Sequence, residues 1–384
     1  MNDVAAARRK LERNLQRDVH CVFGLPVDNL TMASTKALLR ERITQDGNTV
    51  LATINMNWLA ESFSNPEFRF AILNSDLVVL DGKPLLWLAQ LLGCPMRETV
   101  PGSTLIQELL EEPTDQPMTI FLFGGEGDAA QRAMQRINAR HEGGLRAVGS
   151  LNPGFGTVEE MSSDNLIETI NAAKPDILLV ALGAKKGTQW IERNRNRLNA
   201  KIISHLGATV NFLAGTIKRA PRFMQTLGVE WVWRIAQEPK LFARYAADGL
   251  TLLRFVIPRL LLWWQYRRQC RKLQSRLGET APVSTLEQPN SLVLAFGYCL
   301  ERQQVRCIRE ILTKHDYVNK RIVLDFQQTE FADSTFWATL LLLQWWPSNN
   351  VGDNILLTNW NSSMIRWSRL FCFLPEERSE NPGL

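Results

Sequence analysis

The sequence predicts an α/β fold in two parts, a parallel sheet with a helical basic appendage and, after it, a smaller α/β domain. From Val22 to about Ile203, short apolar runs alternate with amphipathic segments, which is typical of a parallel sheet covered by helices. Residues 277–290 are rich in Pro, Ser, Thr and Glu, which indicates a linker. Strand and helix patterns begin again after Ser291, and 384 residues are long for one domain.

The apolar runs predict the strands of the larger part, and the segments between them predict helices such as Ala129–Arg140 and Ser163–Ala173. These strands are Val50–Ile54, Leu77–Leu80, Thr119–Phe123, Ile177–Ala181 and Lys201–Ser204. In the smaller part we expect strands Leu292–Phe296, Arg321–Phe326 and Asn354–Thr358, helices Gln303–Lys314 and Thr335–Trp345, and a final helix. Because ligands bind at the carboxyl ends of parallel strands, site residues should follow the strands.

Composition and charge limit the classes of function. With 45% hydrophobic and 22% charged residues the chain is typical of a globular protein. A net charge of +5 suits a phosphorylated ligand or an anionic membrane and is too small to predict a nucleic-acid partner. Residues 1–20 predict a basic amphipathic helix and lack the apolar region of a signal peptide. The most apolar stretch, residues 250–264, is interrupted by Arg254, Pro258 and Arg259, so no membrane span is predicted.

The cysteines are scattered and form no CxxC pair, so neither a zinc site nor a disulfide framework is predicted. We expect free thiols at all six positions: Cys21, Cys94, Cys270, Cys299, Cys307 and Cys372.

Polar side chains follow two of the predicted strands. Thr53, Asn55 and Asn57 stand at the end of the first strand, and Asp81 with Gly82 follows the second. Asn favours turns and helix caps, and a carboxylate in this position is a helix N-cap, a catalytic base, or both. From spacing alone, turn chemistry and capping are the better explanations.

A third strand leads into Gly124 and Gly125, and then into a helix. Glycine turns before a helix allow backbone N–H groups to approach phosphate, although the spacing differs from the GxGxxG fingerprint. That difference disfavours a nucleotide-linked dehydrogenase.

Residues 205–245 combine a small-residue turn at Gly207 with basic side chains at helical spacing. Arg219, Arg234, Lys240 and Arg244 form a cationic stripe that suits a diphosphate, because arginine binds phosphate through two parallel hydrogen bonds. The alternative is a solvated helix face with Glu–Arg pairs.

Taken together, these segments resemble the WecG/TagA/CpsF family of bacterial glycosyltransferases over residues 20–250. The most specific match is the ordered run AG…RAP…LGVEWVWR…QEP…RY, and LVVLDG, FLFGG, NPGFG, KPDILLVALG and VNFLAG occur in the family's order. The resemblance implies a Rossmann-like, inverting, metal-independent enzyme without a cofactor. It would move an N-acetylmannosamine-type or other hexose from a UDP-sugar to a polyprenyl-diphosphate-linked saccharide, in cell-envelope polysaccharide synthesis at the inner membrane face.

The resemblance also implies roles for particular residues. Asp81 matches the general base, and Thr53 and Asn55 match an active-site Thr-x-Asn pair. Asn57, Gly82, Gly124, Gly125, Gly207 and Arg219 are further substrate-binding candidates, and Arg234, Lys240 and Arg244 fall in an appendage whose arginines meet the diphosphate.

Several positions depart from the family pattern. Lys185, Lys186, Gly187 and Thr188 stand where the family has Pro-Lys-Gln-Glu, so the Gln and Glu side chains are missing. Other departures are Glu98 and Thr99, Thr104, and Asn211. These departures leave open an alternative function, a catalytically weakened sugar-nucleotide-binding scaffold.

The second part resembles STAS domains through RIVLDFQQTEFADSTFWATLLLL. The resemblance implies a protein partner and an exposed phosphorylation candidate at Ser334, with Thr335 beside it. An N-capping serine on a docking domain is an equal alternative. The predicted organisation is therefore a basic helix (1–20), a transferase domain (21–249), a basic membrane-associating segment (250–276), a linker (277–290) and a STAS-like domain (291–384). A peripheral location on the cytoplasmic face of the membrane follows, and the C-terminal domain should be dispensable for chemistry.

Overall fold

The computed structural model describes residues 10, 12–45, 47–140, 142–221, 223–224, 227–274, 283–314, 321–344 and 355–373. Its first elements are β1 (Val19–Val22), β2 (Leu25–Asp28), α1 (Met32–Ile43), β3 (Thr49–Ile54), α2 (Met56–Ser64), α3 (Pro66–Leu73), β4 (Leu77–Leu80), α4 (Lys83–Leu91), α5 (Gly102–Glu111), β5 (Met118–Gly124), α6 (Ala129–Asn138), β6 (Leu145–Leu151), α7 (Asp164–Ala172), β7 (Ile177–Ala181), α8 (Ala184–Asn194), β8 (Ile202–His205) and α9 (Gly207–Ala214).

The later elements are α10 (Glu230–Gln237), α11 (Leu241–Gln274), β9 (Ser284–Glu287), β10 (Ser291–Ala295), β11 (Cys299–Leu300), α12 (Arg302–Lys314), β12 (Arg321–Asp325), β13 (Phe331–Ala332), α13 (Ser334–Gln344), β14 (Ile355–Thr358) and α14 (Ser362–Leu370). The chain forms two compact units. The sheet unit comprises Leu30–Leu88 and Met96–Gly249, and the terminal unit comprises Met1–Asn29, Ala89–Pro95 and Leu250–Leu384.

The sheet unit contains a parallel sheet in the order β4-β3-β8-β7-β5-β6. The predicted strands of the larger part and both named helices are confirmed, with ends shifted by one or two residues. The sequence did not predict β6, which carries Arg146 and Gly149 and is half-buried along much of its length. The chain passes from β5 to β6, towards one edge of the sheet, and from β7 to β8, towards the opposite edge. Where neighbouring connections diverge in this way, a crevice opens at the carboxyl ends of the strands.

Apolar side chains on both faces of this sheet form separate cores. On one face, Leu51 and Leu122 pack with residues of α1, α5, α6 and α9. On the other, Phe123 and Val180 pack with residues of α7 and α8, and the Phe123 ring stacks on Trp190 at 4.4 Å between centroids. Both faces are covered, which explains why the strands have nearly continuous apolar runs.

The terminal unit contains a second sheet in the order β14-β12-β10-β9, in which only β9 is antiparallel to its neighbour among the described strands. Its predicted strands and helices occur, although Asn354 and Trp345 lie outside the described residues. Ser284–Glu287, within the predicted linker, is the edge strand β9, and residues 277–282 are not described.

The terminal unit draws its core from distant parts of the sequence. The hairpin β1–β2 packs on α13, and Val19, Cys21, Val22 and Leu25 are fully buried. Tyr266 of α11 is also buried, where its ring stacks on Phe331. The predicted N-terminal helix, residues 1–20, lies in part outside the described residues, and its last two residues belong to β1.

No helix in the described part of the chain is long and apolar enough to cross a membrane.

Candidate active site

The candidate site lies at the carboxyl edge of β3 and β4, where Thr53 and Asp81 stand. Asp81 follows β4 directly, and its backbone N–H donates to Ile54 O of β3 at 2.7 Å, which holds the two strand ends together. Thr53 is buried near the end of β3. A Cβ added to Gly102, the first residue of α5, would lie 3.2 Å from Thr53 Oγ1 and 2.1 Å from Leu206. Any larger residue would therefore displace the Leu206 side chain and crowd Thr53.

The side chain of Asp81 is half-buried, so its carboxylate is only partly open to solvent. Burial and, to a smaller extent, the negative charge of Glu230 raise the pKa of Asp81, which lies at about 7. The Gly102 N–H donates to the carboxylate, and Arg219 and Arg234 also oppose the rise. The side chain is thus close to half ionised at neutral pH, which suits a group that accepts a proton.

Two arginines lie beside this carboxylate. The guanidinium groups of Arg219 and Arg234 lie 5.8 and 5.7 Å from the centroid of the Phe212 ring. Arg219 Nη2 donates to Ser103 Oγ and Thr104 Oγ1, at 3.0 and 2.8 Å. Thr104, which stands where the family has an aspartate, therefore helps to hold Arg219 in place.

Arg234 and Glu230 both belong to α10. Arg234 Nε is buried and has no hydrogen-bond partner among the described residues, and its Nη2 lies 3.9 Å from Glu238. Burial raises the pKa of Glu230, and Arg219 and Arg234 act in the opposite direction. Two carboxylates and two arginines thus form one cluster, and a bound anion would satisfy the buried Arg234 donor.

Asn55 and Asn57 are close to Asp81 in sequence but have structural partners. Asn55 caps α2, because its Oδ1 accepts from the N–H groups of Asn57 and Trp58. Asn57 Nδ2 donates to Asp248 Oδ2 at 2.8 Å. The cap expected from spacing alone is present at Asn55, and it leaves the Asn55 amide group free to donate.

The glycines at the end of β5 pack against the neighbouring strand β7. A Cβ on Gly124 (φ +94°) would lie 2.5 Å from Ala181 O of β7. The Gly125 N–H donates to the same carbonyl at 2.8 Å, and Asn152 Nδ2 donates to Gly125 O at 3.2 Å. Close packing between β5 and β7 therefore accounts for these glycines, and the Gly125 N–H is already engaged.

Gly187 makes room for a buried histidine. A Cβ on Gly187 of α8 would lie 2.1 Å from Cδ2 of His205, the last residue of β8. The His205 ring is tilted against Trp58 at 5.8 Å, and a Cβ on Gly207 would lie 3.4 Å from His205 Nε2. Burial lowers the pKa of His205 to about 4, so the ring is neutral at pH 7. Its Nε2 is buried without a hydrogen-bond partner in the described part of the chain.

The other predicted residues lie in different surroundings. Arg244 packs over the Tyr245 ring at 5.2 Å, and Lys240 is exposed before α11; the described contacts place neither in the Asp81 cluster. Gly82 has φ +104°, which glycine tolerates best.

Ser334 and Thr335 belong to the terminal unit and are 7% and 2% exposed, so the expected surface exposure of Ser334 is wrong. His20 of β1 covers them, with Nδ1 2.9 Å from Ser334 Oγ.

Sequence reasoning missed Gly102, Phe212, Glu230 and His205 as members of this edge. Glu230 stood in the most specific motif, and a carboxylate between the two arginine positions was its available signal.

Comparison with known proteins agrees with this geometry. The model of the Glycosyl transferase WecG/TagA/CpsF family matches residues 20–269. An N-acetylglucosaminyldiphosphoundecaprenol N-acetyl-beta-D-mannosaminyltransferase of Staphylococcus aureus is 24% identical over 234 residues, 58% of this chain and 86% of that protein. The protein of the same name from Bacillus spizizenii is 23% identical over 202 residues, 53% of this chain and 76% of its own length.

Proposed function

Because the chain belongs to the WecG/TagA/CpsF family of glycosyltransferases, we propose that it transfers an N-acetylmannosamine-type sugar from a UDP-sugar to a polyprenyl-diphosphate-linked saccharide. The chain is a glycosyltransferase, and the names of its relatives describe a mannosaminyl group moved to an undecaprenyl-diphosphate-linked acceptor. The proposed role is a step in bacterial cell-surface polysaccharide synthesis.

The observation that carries the proposal is the Asp81 carboxylate beside Arg219 and Arg234. Asp81 takes the proton from the acceptor hydroxyl as that oxygen attacks the anomeric carbon. The bond from this carbon to the donor phosphate breaks on the opposite face, so the configuration inverts. A base with a pKa of about 7 matches this task, because a substantial fraction is ionised at neutral pH.

The leaving group is the second part of the mechanism. UDP departs with a negative charge that the guanidinium groups of Arg219 and Arg234 can stabilise, and the unpartnered Arg234 Nε is a donor ready for it. Fixed arginines therefore take the role that a divalent cation has in other transferases, which supports metal-independent transfer.

Thr53, Asn55, Asn57 and Gly82 lie at the same strand ends as Asp81, and we assign them to acceptor and donor contacts with Gly124, Gly125 and Gly207. Lys240 and Arg244 are proposed to reach the diphosphate when substrate is bound.

The membrane surface is the proposed location, because the acceptor is a lipid. Helix α11 exposes a stripe of apolar side chains at helical spacing, formed by Leu250, Leu253, Ile257, Leu260, Leu261 and Trp264. Arg254, Arg267, Arg268 and Arg271 stand along the same helix and can contact anionic headgroups, at about 1 kcal/mol each near the surface. Leu252 and Tyr266, by contrast, are buried in the terminal unit and are not available to lipid.

Residues 291–384 are proposed to form a STAS-like domain that binds a protein partner. Parallel strands β10, β12 and β14, and the Asp333-Ser334-Thr335 turn at the start of α13, support this assignment.

A transfer assay tests the proposed function. Radiolabelled UDP-N-acetylmannosamine is mixed with the full chain and a short polyprenyl-diphosphate N-acetylglucosamine acceptor, with and without EDTA. We expect a labelled lipid product of inverted configuration in both conditions. Loss of product with EDTA would contradict metal-independent transfer.

The alternative, a sugar-nucleotide-binding scaffold, is favoured by one observation. His205 occupies the space beside Gly187, and Thr188 Oγ1 donates to Ala184 O at 2.9 Å. Neither residue therefore replaces the donor-sugar contact of the family's Gln and Glu side chains. Saturable binding of the UDP-sugar without any transfer would support the scaffold.

A further inference from the structure

The terminal unit contains a small cavity lined by arginines. Its volume is about 200 Å³, and its lining includes Gln16, Asp18, Arg302, Arg306, Arg309 and Thr335. The arginines lie on α12 three or four residues apart, so they project from one side of the helix. The cavity is smaller than the roughly 300–1,000 Å³ of most organic-ligand pockets, which suits a small anion.

Positive charge exceeds negative charge around this cavity. Asp18 is the one carboxylate among the residues that line it, and its Oδ2 lies 2.9 Å from Arg302 Nη2. Burial lowers the pKa of Arg309, and the charges of Arg302, Arg17 and Arg306 lower it further against the effect of Asp18. An anion in the cavity would relieve this repulsion.

A buried histidine, His20, lies beside this cavity, close to Asp18 and Thr335, which line it. His20 is 5% exposed, and its Nδ1 lies 2.9 Å from Ser334 Oγ and 3.2 Å from Thr335 Oγ1. When these hydroxyls donate to Nδ1, the ring proton is on Nε2. That atom has no hydrogen-bond partner in the described residues, and Asp18 Oδ1 is 3.9 Å away. Thr335, which lines the cavity, is in the first turn of α13.

We propose that this cavity binds the phosphate group of a small phosphorylated molecule, held by Arg306 and Arg309 beside Thr335. Arginine suits this ligand because its planar guanidinium group binds phosphate oxygens in pairs. A phosphate covalently attached to Ser334 or Thr335 would present the same chemistry. Both hydroxyls are buried against His20, however, which favours a free ligand. The cavity shares no residue with the Asp81 cluster, so the proposal is independent of the transfer reaction.

Inorganic phosphate is the probe, and calorimetric titration of the full chain at constant ionic strength measures its binding. All proteins carry Arg219→Gln, which weakens anion binding in the Asp81 cluster. Intact-mass measurement first establishes whether the purified chain carries a covalent phosphate. We expect an unmodified chain that binds one phosphate. Arg306→Gln and Arg309→Gln should each weaken binding about tenfold, whereas the control Arg321→Gln, exposed on β12, should not.

Three results would overturn the proposal. One is the absence of heat from phosphate binding at millimolar concentrations. Another is equal affinity in Arg306→Gln, Arg309→Gln and the control. The third is a covalent phosphate on Ser334 or Thr335. Arg306 is exposed, so its variant should fold even if Arg309→Gln does not.

Discussion

Asp81 in the sheet unit and Asp333 in the terminal unit stand in similar places but are held by different groups. Each follows a strand, precedes a helix and is partly open to solvent. Burial raises the pKa of both carboxyls to about 7. Asp333 accepts from the backbone N–H groups of Phe336, Thr335 and Arg302, whereas Asp81 accepts from that of Gly102 and otherwise meets charged side chains.

This difference separates a cap from a candidate base. Backbone donors fix Asp333 as the N-cap of α13, with Phe336 N 2.9 Å from its Oδ1, and so they occupy its oxygens. Asp81 instead lies among charged side chains, with Arg219 and Arg234 attracting its negative charge and Glu230 repelling it, and a substrate can approach and rearrange these groups. A raised pKa therefore identifies a reactive carboxylate only together with the chemistry of its partners.

The largest expected effect tests whether the two units are separable. Deleting residues 279–384 removes α13 and uncovers the hairpin, whose Val19, Cys21, Val22, Leu25 and Val27 are fully buried. Exposing five such side chains costs on the order of 7–15 kcal/mol, comparable to the stability of a whole domain. We expect the hairpin amides to lose protection from hydrogen exchange, measured by mass spectrometry. The sheet unit, which contains every member of the Asp81 cluster, should keep its protection and its activity on a soluble acceptor analogue.

This outcome refines the expectation that the C-terminal domain is dispensable for chemistry. A truncated chain that also lacks residues 1–29 is the control, because it no longer carries the uncovered hairpin. If the hairpin remains protected in the first truncation, its packing on α13 contributes little. A well-folded but inactive truncation would show that the units cooperate in transfer.

The second effect contrasts the two aspartates directly. Asp81→Asn should lower the transfer rate by about 10²–10⁴-fold and leave UDP-sugar binding nearly unchanged, because removing a general base typically has this effect. Asp333→Asn is the matched control, since asparagine also caps helices and this residue takes no part in the proposed reaction. Initial rates and equilibrium binding of the donor provide the measurements. Equal losses in both variants would remove the distinction between base and cap.

The sequence predicted strands well where a simple pattern sufficed. Continuous apolar runs such as Leu77–Leu80 were located because both faces of the sheet are covered. The hairpin was missed because VHCVFGLPVD is short, carries Pro26, and packs on residues more than 300 positions away in the sequence. The same distant contact, from His20, made the expected exposure of Ser334 wrong.

The candidate site shows a similar limit. Asp81 could be selected from sequence because it follows a strand within a motif, yet spacing alone favoured a cap. Glu230 and Gly102 act on Asp81 through space, over separations that no periodic pattern encodes. From the sequence, Gly187 was only a position that lacks the family's Gln side chain. The structure shows that the His205 ring occupies the space beside it.

The third effect concerns the buried histidine of the sheet unit. Gly187→Gln restores the family's side chain but places its Cβ against the His205 ring, so we expect a loss of about 1–3 kcal/mol in unfolding free energy. Adding His205→Ala should recover part of this loss, because the smaller side chain leaves room. Urea unfolding of the single and double variants gives the coupling energy. Additive effects would mean that the two positions do not compete for space.

The smallest effect is the dependence of stability on pH. Asp81 has a folded pKa of about 7 and an ordinary value of 3.8 when unfolded, so the folded state holds an extra proton between these values. The stabilising effect of that proton is present below about pH 4 and is lost as the pH rises through 7. Asp81→Asn has no charge to bury, so above pH 7 we expect it to be more stable than the wild type. Partial solvent access limits the gain to about 1–2 kcal/mol. The gain should vanish below about pH 4, where the wild-type carboxyl is neutral in both states.

Asp333→Asn should show a smaller gain, because its backbone donors already stabilise the ionised form, and asparagine accepts fewer hydrogen bonds in return. Chemical unfolding at pH 4, 6 and 8 measures these differences. If Asp81→Asn shows no advantage at pH 8, the carboxylate is better solvated than its position indicates, and the proposed base would titrate well below neutrality.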